Sequence, residues 1–190
     1  MDIENRKKAE QAIRDFLSAF GIDVDARPGM EETPRRVVSM YEEVWAGEQM
    51  DDEEIAAKYA KTFPAESNDM VIVKDIEAFS WCEHHLALIY NMKISVAYLP
   101  RGCVIGLSKI ARIVDTVCRR LQLQERIGHQ IADILAVIVG EDVCVRIEAN
   151  HSCMTARGIK KPSSKTVTFA RRGAFQQREV FKDFLEALNS

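Results

Sequence analysis

SKIARIVDTVCRRLQLQERIGHQIADILAVIVGEDVCVRIEA, residues 108–149, decides the architecture. Ile110, Ile113, Val114 and Val117 recur at helical spacing and predict an amphipathic helix over residues 108–121. A second helix is predicted over residues 124–139, and Gly140 with the acidic pair behind it makes a turn. Val143, Val145 and Ile147 then alternate with Cys144, Arg146 and Glu148, the period of a strand with one buried face. Two helices in series, followed by an alternating strand, call for further strands on either side.

Those strands are present. Upstream, residues 70–76 contain VIVKDI, rich in β-branched residues, and residues 93–99 read as a second strand ended by Pro100-Arg101-Gly102. Residues 103–107 add a short extended piece. Downstream, residues 165–170 form the last strand and residues 180–188 a closing helix. The first third is helical. Ile13, Phe16, Leu17 and Phe20 place a helix over residues 2–20, stopped by Gly21. Thr33 is expected as an N-cap, with Pro34 in the first turn of a helix that runs to about residue 45. Gly47 ends it, and a short helix through Ile55 and Tyr59 precedes Pro64. The expected fold is α+β: N-terminal helices in residues 1–66, then an antiparallel ββααββ unit in residues 67–190. A four-stranded sheet with helices on one face leaves two edges that invite pairing with neighbouring copies, so an oligomer is expected.

The chain of 190 residues is 47% hydrophobic with a net charge of −3. That suffices for an ordinary core and offers no basic excess for nucleic acid. The N-terminal segment is polar, with no apolar signal core. Residues 131–145, the most apolar stretch, are broken by Asp133, Glu141 and Asp142, short of the about 18 apolar residues that a membrane span needs. A cytoplasmic protein is expected, bound to neither membrane nor nucleic acid. Cys82, Cys103, Cys118, Cys144 and Cys153 are odd in number and irregular in spacing, which argues against a disulfide framework. Cys103, Cys118 and Cys144 sit in apolar patterns and read as core.

Three of the four histidines lie in two segments that also hold cysteine: Cys82-Glu83-His84-His85 and His151-Ser152-Cys153. Cys-x-x-His supplies two ligands from one turn, a common first half of a zinc site. On a strand, His151 and Cys153 would face the same side, about 6–7 Å apart. Cys82, His85 and Cys153 would leave a fourth position for water, as catalytic zinc sites do. His84 or His151 as a fourth ligand would instead close a structural site. Zinc lowers the pKa of bound water from about 15.7 to about 7, and spare histidines can carry protons. Ser108 is expected to cap the helix it opens, where Lys109 and Arg112 put positive charge beside free N–H groups, an arrangement suited to phosphate. Gln124 and Glu125 stand at the junction of two helices, and a carboxylate there can accept from the N1–H and amine edge of guanine.

Together the segments CEHH (82–85), VIGLSKIARIV (104–114), RLQLQERIGHQIA (120–132), EANHSCMTARGI (148–159) and ETPRRV (32–37) resemble the GTP cyclohydrolase I family, in its order and with its spacing. The resemblance runs from about residue 33 to 175. It implies zinc on Cys82, His85 and Cys153. It implies catalytic roles for His84 and His151, with His151 protonating the purine N7 while C8 is attacked. Gln124 and Glu125 would recognise guanine and Ser108 would lie near the ribose and phosphates. Lys109, Arg112 and Arg157 would hold the triphosphate, joined by Arg36 from a neighbouring subunit. It further implies the tunnelling fold, assembled as pentameric barrels paired into a homodecamer. The reaction would convert GTP to formate and 7,8-dihydroneopterin triphosphate, the first step toward pterins and tetrahydrofolate.

Two positions depart from the family pattern. LALIYNMK (86–93) lacks the usual glycine and has one extra residue, and Asn91 is expected to take a left-handed conformation there. Ser39 stands where a lysine is common, and Arg35 is the candidate to compensate. Two alternatives compete. One is a non-catalytic oligomeric nucleotide-binding protein with structural zinc. The other is a tunnelling-fold nitrile reductase, which needs a nucleophilic cysteine and no zinc.

Overall fold

The computed structural model describes residues 1–189, and the chain divides into two compact units, Met1–Ala46 and Gly47–Ser190. The first unit holds α1 (Ile3–Ala19) and α2 (Thr33–Val44). Asp2 caps α1 by accepting from the Asn5 amide at 2.8 Å. Gly21, at φ +72, takes the left-handed turn that ends it. Thr33 is not the cap of α2: that place falls to Glu32, with no side-chain hydrogen bond, and Pro34 fills the first turn, where its missing N–H costs nothing. Arg6 crosses from α1 to α2, donating to Ser39 Oγ and pairing with Glu42.

The second unit contains α3 (Asp52–Tyr59), β1 (Thr62–Pro64), β2 (Val71–Cys82), β3 (Ala87–Tyr98), β4 (Cys103–Ile105), α4 (Leu107–Cys118), β5 (Leu121–Gln122), α5 (Gln124–Val139), β6 (Val143–His151), α6 (Ser152–Thr155), β7 (Thr166–Arg171) and α7 (Arg178–Asn189). The order ββααββ holds for the long elements. Asp51 and Glu54 form a reciprocal capping box that starts α3, and β1 pairs with β4. The main sheet runs β5-β2-β3-β6-β7, antiparallel except for the short parallel contact of β5 with β2. It therefore has five strands rather than four.

Side chains alternate across the sheet. Ile94, Val96, Tyr98, Val143, Val145 and Ile147 face α4 and α5 and meet Ile110, Ile113, Val114, Val117, Ile127, Ile131 and Leu135 in one core. Each such side chain, fully buried, contributes about 1.5–3 kcal/mol. The opposite face is not free of helix, as expected, but carries α7 at one end. There Phe175 and Phe184 pack on Ala97 and Cys144. Two of the three cysteines read as core are buried, and burial pushes the Cys144 pKa up to about 12, against the pull of Arg171, and raises that of Cys118 too, with help from Asp115, whereas Cys103 is half-buried.

β2 and β3 are longer than their apolar runs, and bulges explain it. Ala78 pairs with Met92 and Ser80 with Ile89, so Tyr90 and Asn91 together oppose Phe79. Asn91 has φ +48, as expected from its tolerance of that region, and Leu86 has φ +51. The extra residue of the glycine-free segment is thus absorbed as a bulge, which bends and twists the strand toward its Cys82 end. Among the described residues no helix is long and apolar enough to cross a membrane.

Candidate active site

Two strands end, and a short helix begins, at the same place. β2 delivers Cys82 as its last residue, and the turn behind it, with the His85 amide 3.4 Å from the Cys82 carbonyl, brings His85 back over the strand. β6 ends at His151, opposite Ile89 of β3. The chain then does not stay extended, as expected, but turns at once into α6, which carries Cys153. The helical turn, rather than a shared strand face, sets Cys153 beside Cys82.

The ligand atoms of Cys82, His85 and Cys153 all lie within 4.8 Å of one another. Bonds of about 2.3 Å to sulfur and about 2.0–2.1 Å to nitrogen close such a span with small side-chain movements. Two thiols and one imidazole are a zinc-type donor set, and among the described residues no fourth ligand joins them. All five cysteines are free. Burial, and then the neighbouring Cys82, raise the Cys153 thiol above its ordinary value, against the pull of its own amide and of Arg157. A cation between the sulfurs would reverse that balance, because coordinated thiols are deprotonated.

The other candidate residues are placed as follows. His84 stands outside the three, with Nδ1 3.7 Å from Cys82 Sγ. Arg157 NH1 donates to His85 Nε2 at 3.3 Å. His151 Nε2 lies 2.8 Å from Gln124 Oε1. Burial lowers the His151 pKa, against the charge of Glu125, which raises it. Glu125 is exposed at the start of α5, whereas Gln124 is 1% exposed and hydrogen-bonded to β6 and β7. Ser108 and Arg112 are exposed at the start of α4, with Lys109 half-buried. Ser108 does not cap that helix. Gly106 holds the position and no side chain bonds there. Arg36 lies in the first unit, where Arg35 is engaged with Glu32 and Ser39 accepts from Arg6.

Some supporting residues were not foreseen. Glu83 forms a two-pronged ion pair with Arg126, which holds its carboxyl below the usual range. β5 pairs with Trp81 and Cys82, and the Glu83 amide donates to the Gln122 carbonyl at 3.1 Å. Asn150, 6% exposed, accepts from Asn91 at 3.3 Å and donates to the Ser164 carbonyl at 2.8 Å, tying the bulge to the loop after α6. Separations of 14 to 59 residues hide these pairs from any local pattern.

The GTP cyclohydrolase I family model matches residues 9–189. The chain belongs to the GTP cyclohydrolase I family. Among curated relatives, "GTP cyclohydrolase 1" of Clostridium botulinum (strain Kyoto) is 52% identical over 189 residues, covering 96% of both chains. That of Clostridium acetobutylicum is 50% identical over 188 residues, again 96% of each. That of Ruminiclostridium cellulolyticum is 52% identical over 179 residues, 90% of this chain and 91% of the relative. Among solved structures, the archaeosine synthase QueF-Like in its apo form aligns with 57% of this chain and 98% of its own, at 21% identity and a TM-score of 0.47. The α+β fold with its bulged sheet is consistent with the tunnelling fold of the GTP cyclohydrolase I family.

Proposed function

We propose that the protein is a zinc-dependent GTP cyclohydrolase. It opens the purine ring of GTP at C8, releases formate and yields 7,8-dihydroneopterin triphosphate, the first step toward pterins and tetrahydrofolate. The observation that carries this reading is the cluster of Cys82, His85 and Cys153, with three donors and none beyond them among the described residues. It occurs in a chain about half identical, over nearly its whole length, to proteins named GTP cyclohydrolase 1.

Cys82, His85 and Cys153 would hold zinc, which would supply Lewis acidity and bring the ionisation of water to about pH 7. His84, beside Cys82, and His151, before Cys153, hold and move protons, with His151 serving the purine N7. Glu125 offers its exposed carboxylate to the N1–H and amine edge of guanine, and two parallel hydrogen bonds fix the base. Lys109 and Arg112 at the start of α4, together with Arg157, take the triphosphate, and Ser108 lies near the ribose. Arg36 reaches a neighbouring subunit's site. The outer edge of residues 71–79 in β2 and the edge of β7 have no strand partner among the described residues. This supports assembly into a barrel, pentamers pairing as a decamer. The odd number and irregular spacing of the cysteines support a cytoplasmic setting.

The test is metal analysis paired with a formate-release assay on GTP. Cys153→Ala should lose both zinc and turnover, whereas His84→Ala and His151→Ala should keep zinc and lose turnover. Full activity in Cys153→Ala would overturn the assignment. Loss of zinc in His84→Ala would favour a closed structural site, for which the 3.7 Å approach of His84 to Cys82 is the one supporting contact.

A further inference from the structure

Gln124 is the first residue of α5, yet its side chain turns into the sheet and is 1% exposed. Its amide nitrogen lies 3.2 Å from the Ile147 carbonyl, 3.1 Å from the Thr166 carbonyl and 3.2 Å from Thr168 Oγ1. Carbonyl oxygens only accept, so the NH2 group must face them. The flipped amide would press its own oxygen against two carbonyls with no proton between them. The amide orientation is therefore dictated by main chain from β6 and β7. It follows that the atom 2.8 Å from His151 Nε2 is Oε1, an acceptor. A hydrogen bond then requires a proton on His151 Nε2. Nδ1, which has no hydrogen-bond partner among the described residues, is left as the nitrogen open to substrate.

We propose that Gln124 is a positioning residue for His151. It locks the imidazole as its Nε2–H tautomer, fixes the ring plane, and assigns Nδ1 to the proton transfer. This rests on the reading of the site as a GTP cyclohydrolase centre. It gives Gln124 a different task from recognition of guanine, for which its amide hydrogens are already committed. The contacts form one chain. β6 and β7 hold the amide, the amide holds the ring, and the ring sits where β6 ends. Partners of this kind behind a working histidine are worth on the order of 10–100-fold in activity, because a misoriented ring or the wrong tautomer presents the wrong nitrogen.

Two measurements decide it. The first is solid-state 15N NMR of wild-type protein labelled at the histidine ring nitrogens, with His151→Gln to identify the resonance by difference. The expected result is a protonated Nε2 and an unprotonated Nδ1 in the neutral ring. The opposite tautomer overturns the proposal. The second compares Gln124→Met with wild type. Turnover should fall about 10–100-fold, while zinc content and the Kd for GTP, measured on zinc-depleted protein, stay within about twofold. A weakened Kd with unchanged turnover would return Gln124 to the base-recognition role. If Gln124→Met does not fold, the tautomer measurement on wild type stands alone as the decision. Absence of formate release by zinc-loaded wild type would reject the proposed reaction and leave the tautomer result unaffected.

Discussion

Replacing Arg120 by alanine should be among the most damaging single changes outside the site. The guanidinium is nearly buried and serves three partners: Nε donates to the Gly47 carbonyl at 3.1 Å, NH2 to the Met50 carbonyl at 2.8 Å, and NH1 to Asp52 at 2.7 Å. Removing it strands the Met50 carbonyl, at about 1–3 kcal/mol, and takes one of two donors from the Gly47 carbonyl, which keeps the Met50 amide at 3.3 Å, at about 0.5–1.5 kcal/mol. Asp52 is 39% exposed and recovers water, so its share is at most about 1 kcal/mol. The sum is about 1.5–5.5 kcal/mol. At about 2–4 °C per kcal/mol for a chain of this size, the melting point should drop by about 3–22 °C. Scanning calorimetry at one fixed protein concentration is the assay, since the proposed assembly would make Tm concentration-dependent. Arg120→Lys keeps the charge but not the planar fork, and should fall between the two. A drop under about 2 °C for Arg120→Ala, or a lysine variant no better than alanine, refutes the reasoning.

Gly47→Ala should also destabilise. A Cβ there would stand 2.1 Å from the Thr116 carbonyl oxygen and 2.8 Å from that of Arg119, both main chain. The cost belongs at the top of the about 1–3 kcal/mol range for overpacking, and an unchanged urea midpoint would contradict it. Asp142 gives a pH signature. Burial pushes its carboxyl up, but the Ala174 amide at 2.7 Å and Arg101 at 2.8 Å outweigh burial and hold it below the ordinary value. A depressed pKa contributes stability that is present above the unfolded value of about 3.9 and is lost as pH falls through the folded one. The stability gap between wild type and Asp142→Asn, read from urea midpoints, should be constant from pH 5 to 8 and narrow below about pH 4. A gap independent of pH down to 3 counts against the assignment.

What the sequence made legible follows from how local each cause is. α5 was readable to both ends, because its apolar period and Gly140 are contained in one stretch. Cys82, His85 and Cys153 were readable because cysteine and histidine rarely cluster without cause. The two caps were misplaced by one or two residues, since Thr33 and Ser108 have the right chemistry while Glu32 and Gly106 have the right backbone. β5 and α6 are too short to show a period, and both depend on partners far along the chain. The engagement of Gln124 was hidden for the same reason. Its acceptors lie 23 to 44 residues away, so a polar residue at a helix start looked free for ligand.

The two residues of β5 have a consequence beyond their length. Leu121 and Gln122 run alongside Trp81 and Cys82 by main-chain contact, and the next turn of chain opens α5 at Gln124. The spacing between the cysteine end of the sheet and the partner of His151 is therefore gauged by backbone and is indifferent to side-chain identity at Leu121 or Leu123. Chain length is the guarded quantity here. Inserting one residue between Gln122 and Gln124 would swing the amide off the imidazole while every ligand stayed in place, a lesion that no comparison of site residues would detect.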